Sequence, residues 1–156
     1  MLPGVHINWM DFTVTEVPPG AYDVMGVDGL QYGSKWFFLQ LLQGDTADNI
    51  PGLPKLFGQQ CGEARAVKYL AGTTDAAQAQ DRVEAAYQDH YGSAWVDALI
   101  EQAALLWLRT DAQATIRNVA EAFPEPKREL LAGIDRLESR VTKELNALKK
   151  IGQEYE

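Results

Sequence analysis

Cysteine is almost missing from this chain. Cys61 is the single one in 156 residues, which excludes an internal disulfide and any cysteine-built zinc site and leaves a reducing, cytoplasmic setting as the expectation. Long apolar runs are missing too. None reaches the roughly 18 residues that a membrane helix needs, and the opening MLPGVHINWM has neither the basic start nor the apolar centre of a signal peptide. No membrane association is expected. Positive charge is scarce: 14 Lys and Arg stand against 22 Asp and Glu, a net charge of −8. Proteins that hold nucleic acid unaided are usually basic, because affinity comes largely from neutralising phosphates. Any grip on DNA must therefore come from local patches. No Ser-His-Asp set, Cys-His pair or Gly-rich nucleotide loop is present to support those mechanisms.

What remains is the composition of one folded domain, with 46% hydrophobic residues and four tryptophans. Val5, Ile7 and Trp9 alternate, as do Phe12 and Val14 after a turn near Met10-Asp11, so Val5 to Val17 reads as a β-hairpin. His6 has no second His or Cys nearby and reads as a packing or surface residue. Pro18-Pro19-Gly20 closes the pair, and the chain to Gly33 reads as loop with a short turn. Ser34 can cap a helix from Lys35 to Gln43, whose Trp36, Phe37, Phe38, Leu39, Leu41 and Leu42 are apolar nearly all round, as in a buried core helix.

Further helices are expected over Gly62–Ala71, with Gly72 as its stop, and over Thr74–Tyr91, with Ala77, Val83, Ala86 and Tyr87 inward. His90 suits a helix C-terminus, where a partly charged imidazole is favourable. Ser93 would cap Trp95–Leu108, a strongly apolar core helix, and Asp111–Phe123 would form a shorter one ended by Pro124. Pro126–Tyr155 is the longest helical pattern, weakened only by Gly133. Its Leu130, Ile134, Leu137, Val141, Leu148 and Ile151 follow a 4-3-4-7-3 spacing close to a coiled-coil seam. That helix either packs on its own domain or pairs with another chain in a homo- or hetero-oligomer; its charges, of mixed sign, read as a solvated face. The fold class is thus mainly α, with a small N-terminal β-hairpin (1–33), a helical domain (34–123) and a long C-terminal helix (124–156).

The chemistry concentrates in Gln43–Leu70, QGDTADNIPGLPKLFGQQCGEARAVKYL. Asp45 and Asp48 are three residues apart, a spacing that can place both side chains on one side of a helix end. Oxygen pairs of this kind hold Mg²⁺ or Mn²⁺ together with water and phosphate. The Asn49, Pro51, Gly52, Pro54 turn and the helix start at Gly62 offer backbone N–H groups suited to phosphate. Ordinary turn chemistry also produces Asp-x-x-Asp-Asn before Pro-Gly, so spacing alone leaves both readings open.

The wording of the stretch narrows them. LLQGDTADNIPGLP followed by CGEARAVKYL resembles the helix–three-turn–helix segment of the 5′-nuclease superfamily, the bacteriophage 5′–3′ exonucleases and flap endonucleases. The resemblance implies that Asp45 and Asp48 belong to the family's second metal site and that the Gly52–Ala66 hairpin touches the DNA backbone. Asn49, Gly52, Lys55, Gly62, Arg65 and Lys68 are the DNA-binding candidates. The hairpin departs from the family pattern: Ala64, with Arg65 beside it, stands nearest the usual lysine, and Glu63 adds a negative charge where phosphate approaches.

A fainter likeness lies in PGVHINW, which in the phage exonucleases follows the acidic motif that closes the main metal cluster. It implies that Met1 falls in the middle of the family fold, with the catalytic carboxylates of the amino-terminal half supplied elsewhere. Two-metal phosphodiester hydrolysis needs cations about 3.5–4 Å apart and several converging carboxylates. Asp45 and Asp48 supply two, while Asp11, Glu16, Asp23 and Asp28 are scattered. The expectation is therefore no complete catalytic set in this chain alone. It reads as the DNA-binding part of a magnesium-dependent 5′–3′ exonuclease whose amino-terminal half is a separate chain, in the host cytoplasm if phage-encoded. The alternative is a catalytically silent protein-interaction or inhibitory module derived from such a nuclease.

Overall fold

The structure is a computed structural model and describes residues 3–110 and 112–154. It is mainly helical, with a small N-terminal antiparallel strand pair and a long C-terminal helix, as the sequence pattern indicates. The strands β1 (Gly4–Ile7) and β2 (Val14–Val17) pair with His6 opposite Thr15 and Ile7 opposite Val14. Alternation puts Thr15 and Val17 inside while Val5, Ile7 and Val14 stay exposed, with Trp9 and Phe12 edge-to-face at the tip. His6 lies against the Tyr32 ring, with centroids 5.0 Å apart.

The stretch read as loop holds a second small pair, β3 (Val24–Met25) with β4 (Gln31–Tyr32). Asp28 fastens it, accepting from the Leu30 N–H at 3.0 Å, the Tyr32 hydroxyl at 2.8 Å and the Asn8 amide at 3.3 Å. Two-residue strands carry no readable alternation, so the sequence pattern conceals them. Desolvation acts to raise the Asp28 carboxyl, but these hydrogen bonds outweigh it and hold the group below its ordinary value. A depressed carboxyl stabilises the fold above its unfolded pKa of about 3.9 and ceases to do so as pH falls through the folded value. Acid is therefore expected to release the Asn8–Asp28–Tyr32 clip before the helical body melts. NMR of the Tyr32 ring should show a transition below about pH 4 that Asp28→Asn removes; the same transition in both proteins would contradict this.

Five α-helices lie among the described residues: α1 (Lys35–Gln43), α2 (Glu63–Leu70), α3 (Ala76–Tyr91), α4 (Trp95–Leu108) and α5 (Arg128–Glu154). The apolar helix α1 is the hub, touching α2, α3 and α4, and Phe38, Leu41 and Leu42 have no solvent exposure. The Tyr87 hydroxyl of α3 donates to the Leu41 carbonyl at 2.5 Å, binding α3 to the end of α1. Ser34 supplies no side-chain cap, since it is already helical. The start of α1 is instead satisfied by the strand region: Ser34 N–H donates to the Ala21 carbonyl and Lys35 N–H to that of Tyr22. Helix α3 begins at Ala76, two residues after the expected start at Thr74, and Asp75 caps it, its carboxylate accepting from Gln78 N–H at 2.9 Å. Ala79, Gln80 and Glu84 join Val83, Ala86 and Tyr87 on the buried face, and Ala77 is only half-buried. Nor does Ser93 cap α4. It lies in a 3-10 turn, Gly92–Ala94, that leads directly into the helix.

The helix expected over 111–123 is replaced by a 3-10 helix, Arg117–Ala122; its expected first residue, Asp111, lies outside the described residues. Local hydrogen bonds explain the change. Asn118 Oδ1 accepts from Thr115 N–H and from the Trp107 indole, and the Thr115 hydroxyl accepts from Asn118 N–H. Such side-chain bonds compete with helix.

Helix α5 starts at Arg128, and Tyr155, its expected end, is likewise outside the described residues. Its seam divides. Leu130, Ile134 and Leu137 are buried in the same core as Leu99 and Ile100 of α4, so this half is continuous with the helical body. Gly133 serves that packing: a Cβ there would meet Val96 Cγ1 at 2.7 Å. Leu145, Leu148 and Ile151, in contrast, are exposed at 53%, 63% and 51%.

Candidate cation and nucleic-acid site

The segment after α1 is locked by backbone. Asp45 and Ile50 exchange both hydrogen bonds, Asp45 N–H to Ile50 O at 2.7 Å and Ile50 N–H to Asp45 O at 2.9 Å. Between them Thr46–Asp48 makes one 3-10 turn, and Asn49 closes it in the left-handed region with φ 56°. Asparagine tolerates that conformation well. The turn then doubles back across α1: Leu53 N–H donates to the Leu42 carbonyl at 2.9 Å.

Two glycines make the crossing possible. A Cβ on Gly52 would lie 2.4 Å from Gly44 N, and one on Gly44 would lie 2.4 Å from the Ile50 carbonyl oxygen; both residues have positive φ. Gly52 is therefore buried, and its N–H donates to Gln102 Oε1 at 3.0 Å. That removes Gly52 from the DNA-binding candidates: its N–H is already occupied, and it faces inward.

Asp45 and Asp48 do come together. A single nitrogen, Arg109 Nη1, donates to Oδ2 of both. The Gln40 amide, on buried α1, reaches Asp45 Oδ2 at 3.4 Å. Side-chain exposure is 19% for Asp45, 52% for Asp48 and 30% for Arg109, so the cluster sits at a surface rim. Burial acts to lower the Arg109 pKa, but the hydrogen bonds to Asp48 and Asp45 exceed it and raise the value. Arg109 is a residue that sequence reasoning missed, because 61 positions separate it from Asp48. The available signal was that it is the lone Lys or Arg between Arg82 and Arg117, placed directly after an apolar helix.

Clefts open on both sides of the pair. One, of about 580 Å³, lies between His6 and Val17 of the hairpin and Trp36, Trp107, Asp48 and Arg109. The other, of about 630 Å³, is bordered by Gln43, Asp45, Gln60, Gly62 and Glu63. The Asp45 candidate and the start of α2 thus share a cleft. Gln43 Oε1 is buried, with no hydrogen-bond partner among the described residues.

The remaining candidates lie on the hairpin and helix that follow. Strands β5 (Lys55–Leu56) and β6 (Gln59–Gln60) form a two-residue-turn hairpin in which Phe57 and Gly58 both have positive φ. Lys55 is exposed on β5. Gly62 stands at the N-cap of α2, exposed and in extended conformation. Arg65 and Lys68, one turn apart, are both exposed, as is Glu63 in the first turn. Glu63 favours the helix through its dipole and opposes an incoming phosphate. Asn49 is exposed next to the aspartate turn.

Two carboxylate oxygens converging on one cationic atom fit part of a Mg²⁺ or Mn²⁺ shell, since magnesium is commonly held by one or two carboxylates plus water and substrate phosphate. Among the described residues no group of three or more His, Cys, Asp or Glu is placed to hold a metal ion. Among the described residues, no helix is long and apolar enough to cross a membrane. Comparison with protein-family models, with curated proteins and with solved structures finds no match.

Proposed function

We propose that this chain is the DNA-facing, second-metal-site part of a magnesium-dependent 5′–3′ exonuclease of the phage type. An amino-terminal nuclease half on another polypeptide supplies the remaining acids. The observation that carries this reading is the convergence of Asp45 and Asp48 on one cationic point, beside a cleft that also reaches the start of α2. When bound, Mg²⁺ or Mn²⁺ supplies Lewis-acid stabilisation of charge on phosphate oxygen. The chain's own residues position it: the Asp45–Ile50 backbone pair fixes the carboxylates, and Lys55, Arg65 and Lys68 contact DNA phosphates. The hairpin that carries the exposed Val5, Ile7 and Val14 borders the Asp48 cleft.

Binding of 5′-recessed duplex DNA, followed by fluorescence anisotropy across a salt series, tests the DNA-facing role. Replacing Lys55, Arg65 and Lys68 together by Gln is expected to weaken binding and to flatten the log–log salt slope by about 2 to 3, one counterion step per lost phosphate contact. A slope equal to that of the unaltered chain would reject these contacts.

A second reading, a catalytically silent protein-interaction or inhibitory module, draws on the exposed Leu145, Leu148 and Ile151 of α5 and on the net charge of −8. It is favoured if DNA binding is weak and insensitive to salt while α5 holds a second protein.

A further inference from the structure

We propose that two copies of this chain pair antiparallel through the free end of α5, each end seated in the groove that the other copy holds open between α4 and α5. The pairing does not depend on the nuclease reading. Beyond the helical body, α5 keeps two interleaved rows at heptad spacing: Val141 with Leu148, and Leu137 with Glu144 and Ile151. Leu137 is buried in its own domain and Val141 half-buried, whereas Leu145, Leu148 and Ile151 are exposed. The knobs of such a seam fill holes on a facing helix. That helix comes from elsewhere, because α5 is continuous over Arg128–Glu154 and does not fold back on itself.

The groove lies where α5 leaves α4. It has a volume of about 430 Å³ and is lined by Leu105, Leu108, Ile116 and Val141 together with Glu101 and Glu144. Leu105 and Leu108 are 42% and 45% exposed, so an open apolar slot continues the uncovered seam. Charge selects the occupant. Arg140 Nη2 stands 3.9 Å from Glu101 Oε2, which leaves the slot one net negative charge with Glu144. The free end carries exposed Lys149 and Lys150 between Leu148 and Ile151. On a chain of net charge −8, a basic apolar helix end therefore matches an acidic apolar slot on a second copy.

Glu144 sets the direction. In a parallel pair both copies of Glu144 would share one layer of the seam, like charge against like. In the antiparallel pair, one register places Leu148 opposite the partner's Glu144 and Ile151 opposite the partner's Val141. The two acids part, and each comes beside a lysine of the facing helix. Area calls for the groove as well. The end beyond Val141 is only about 20 Å long at 1.5 Å rise per residue, and a strip of that length falls short of the roughly 800 Å² per partner in a stable interface. Seating in the groove adds Leu105 and Leu108, and two-fold symmetry makes every contact twice.

Sedimentation equilibrium of the full chain over a concentration series tests the pairing, and a monomer–dimer equilibrium is expected. Leu145→Asp with Leu148→Asp should weaken it about a hundredfold or more, while the urea midpoint of the body stays put because both side chains are exposed. Charge exchange reads the direction. Glu101→Lys with Glu144→Lys in one protein, and Lys149→Glu with Lys150→Glu in another, should each weaken self-pairing about tenfold, and mixing the two should yield a mixed dimer as tight as the unaltered one. A chain that stays monomeric throughout the series would overturn the proposal, as would a dimer that survives the two aspartates. A dimer indifferent to the charge exchange would overturn the antiparallel seating in the groove.

Discussion

Gly52→Ala is expected to destabilise the protein by about 3 kcal/mol or more, through overpacking and strain at a residue whose backbone an L side chain rarely adopts. The new Cβ would lie 2.4 Å from Gly44 N, 2.7 Å from Leu42 O and 2.8 Å from Gly44 Cα. All three are backbone atoms, so no side chain can turn away to relieve the contact. Separation of the two segments would also draw the Gly52 N–H from Gln102, leaving a buried donor and acceptor unmatched, which costs about 1–3 kcal/mol for each orphaned group. Because the crossing holds the turn that carries Asp45 and Asp48, whatever protein does fold should show displaced amides at 45–50. Urea unfolding with NMR of that segment measures both. A variant as stable as the unaltered chain would mean that the Gly44–Gly52 approach is looser than described.

Phe38→Ala has the second large effect, a loss of about 3–5 kcal/mol from side-chain transfer and the cavity left behind. Phe38 is fully buried on α1, and its ring meets Phe37 edge-on at 5.4 Å and Phe123 at 6.3 Å. Phe37 and Phe123 also contact each other at 5.8 Å, so the three rings close on one another. Edge-to-face pairs contribute about 0.5–1.5 kcal/mol beyond area burial. A domain of this kind has only about 5–15 kcal/mol in total, so the urea midpoint should fall far. The drop should exceed that of Phe57→Ala, whose ring is half-exposed at the β5–β6 turn. Equal drops would place the core elsewhere.

These two residues also show where the sequence is readable. The bounds of α1 and α4 follow from the extent of their apolar runs, and the structure gives the same limits although neither Ser34 nor Ser93 supplies the cap expected of it. That logic places Phe38 in the core. The sequence points Gly52 toward DNA instead, because its local setting, between two prolines, is that of a solvent turn. Only the return of the chain over α1 turns it inward, and nothing in Asn49–Pro54 encodes what lies beneath.

Arg109 escaped for a related reason. An ion pair across more than sixty positions leaves no periodicity, unlike the three-residue spacing of Asp45 and Asp48. In α5 the heptad-like spacing was legible along its length. Where the body stops covering that seam depends on the extent of α4, so Leu137 is buried while Leu148 is not.

The most direct test mixes this chain with an amino-terminal nuclease half bearing the acidic cluster, Mg²⁺ and 5′-recessed duplex DNA, and follows release of nucleotides from the 5′ end. Cleavage should require both polypeptides and the metal, and should fall at least 100-fold when Asp45→Ala and Asp48→Ala are combined, a loss of about 2.7 kcal/mol in transition-state stabilisation. Cleavage that proceeds unchanged without those two carboxylates would contradict the role given to them.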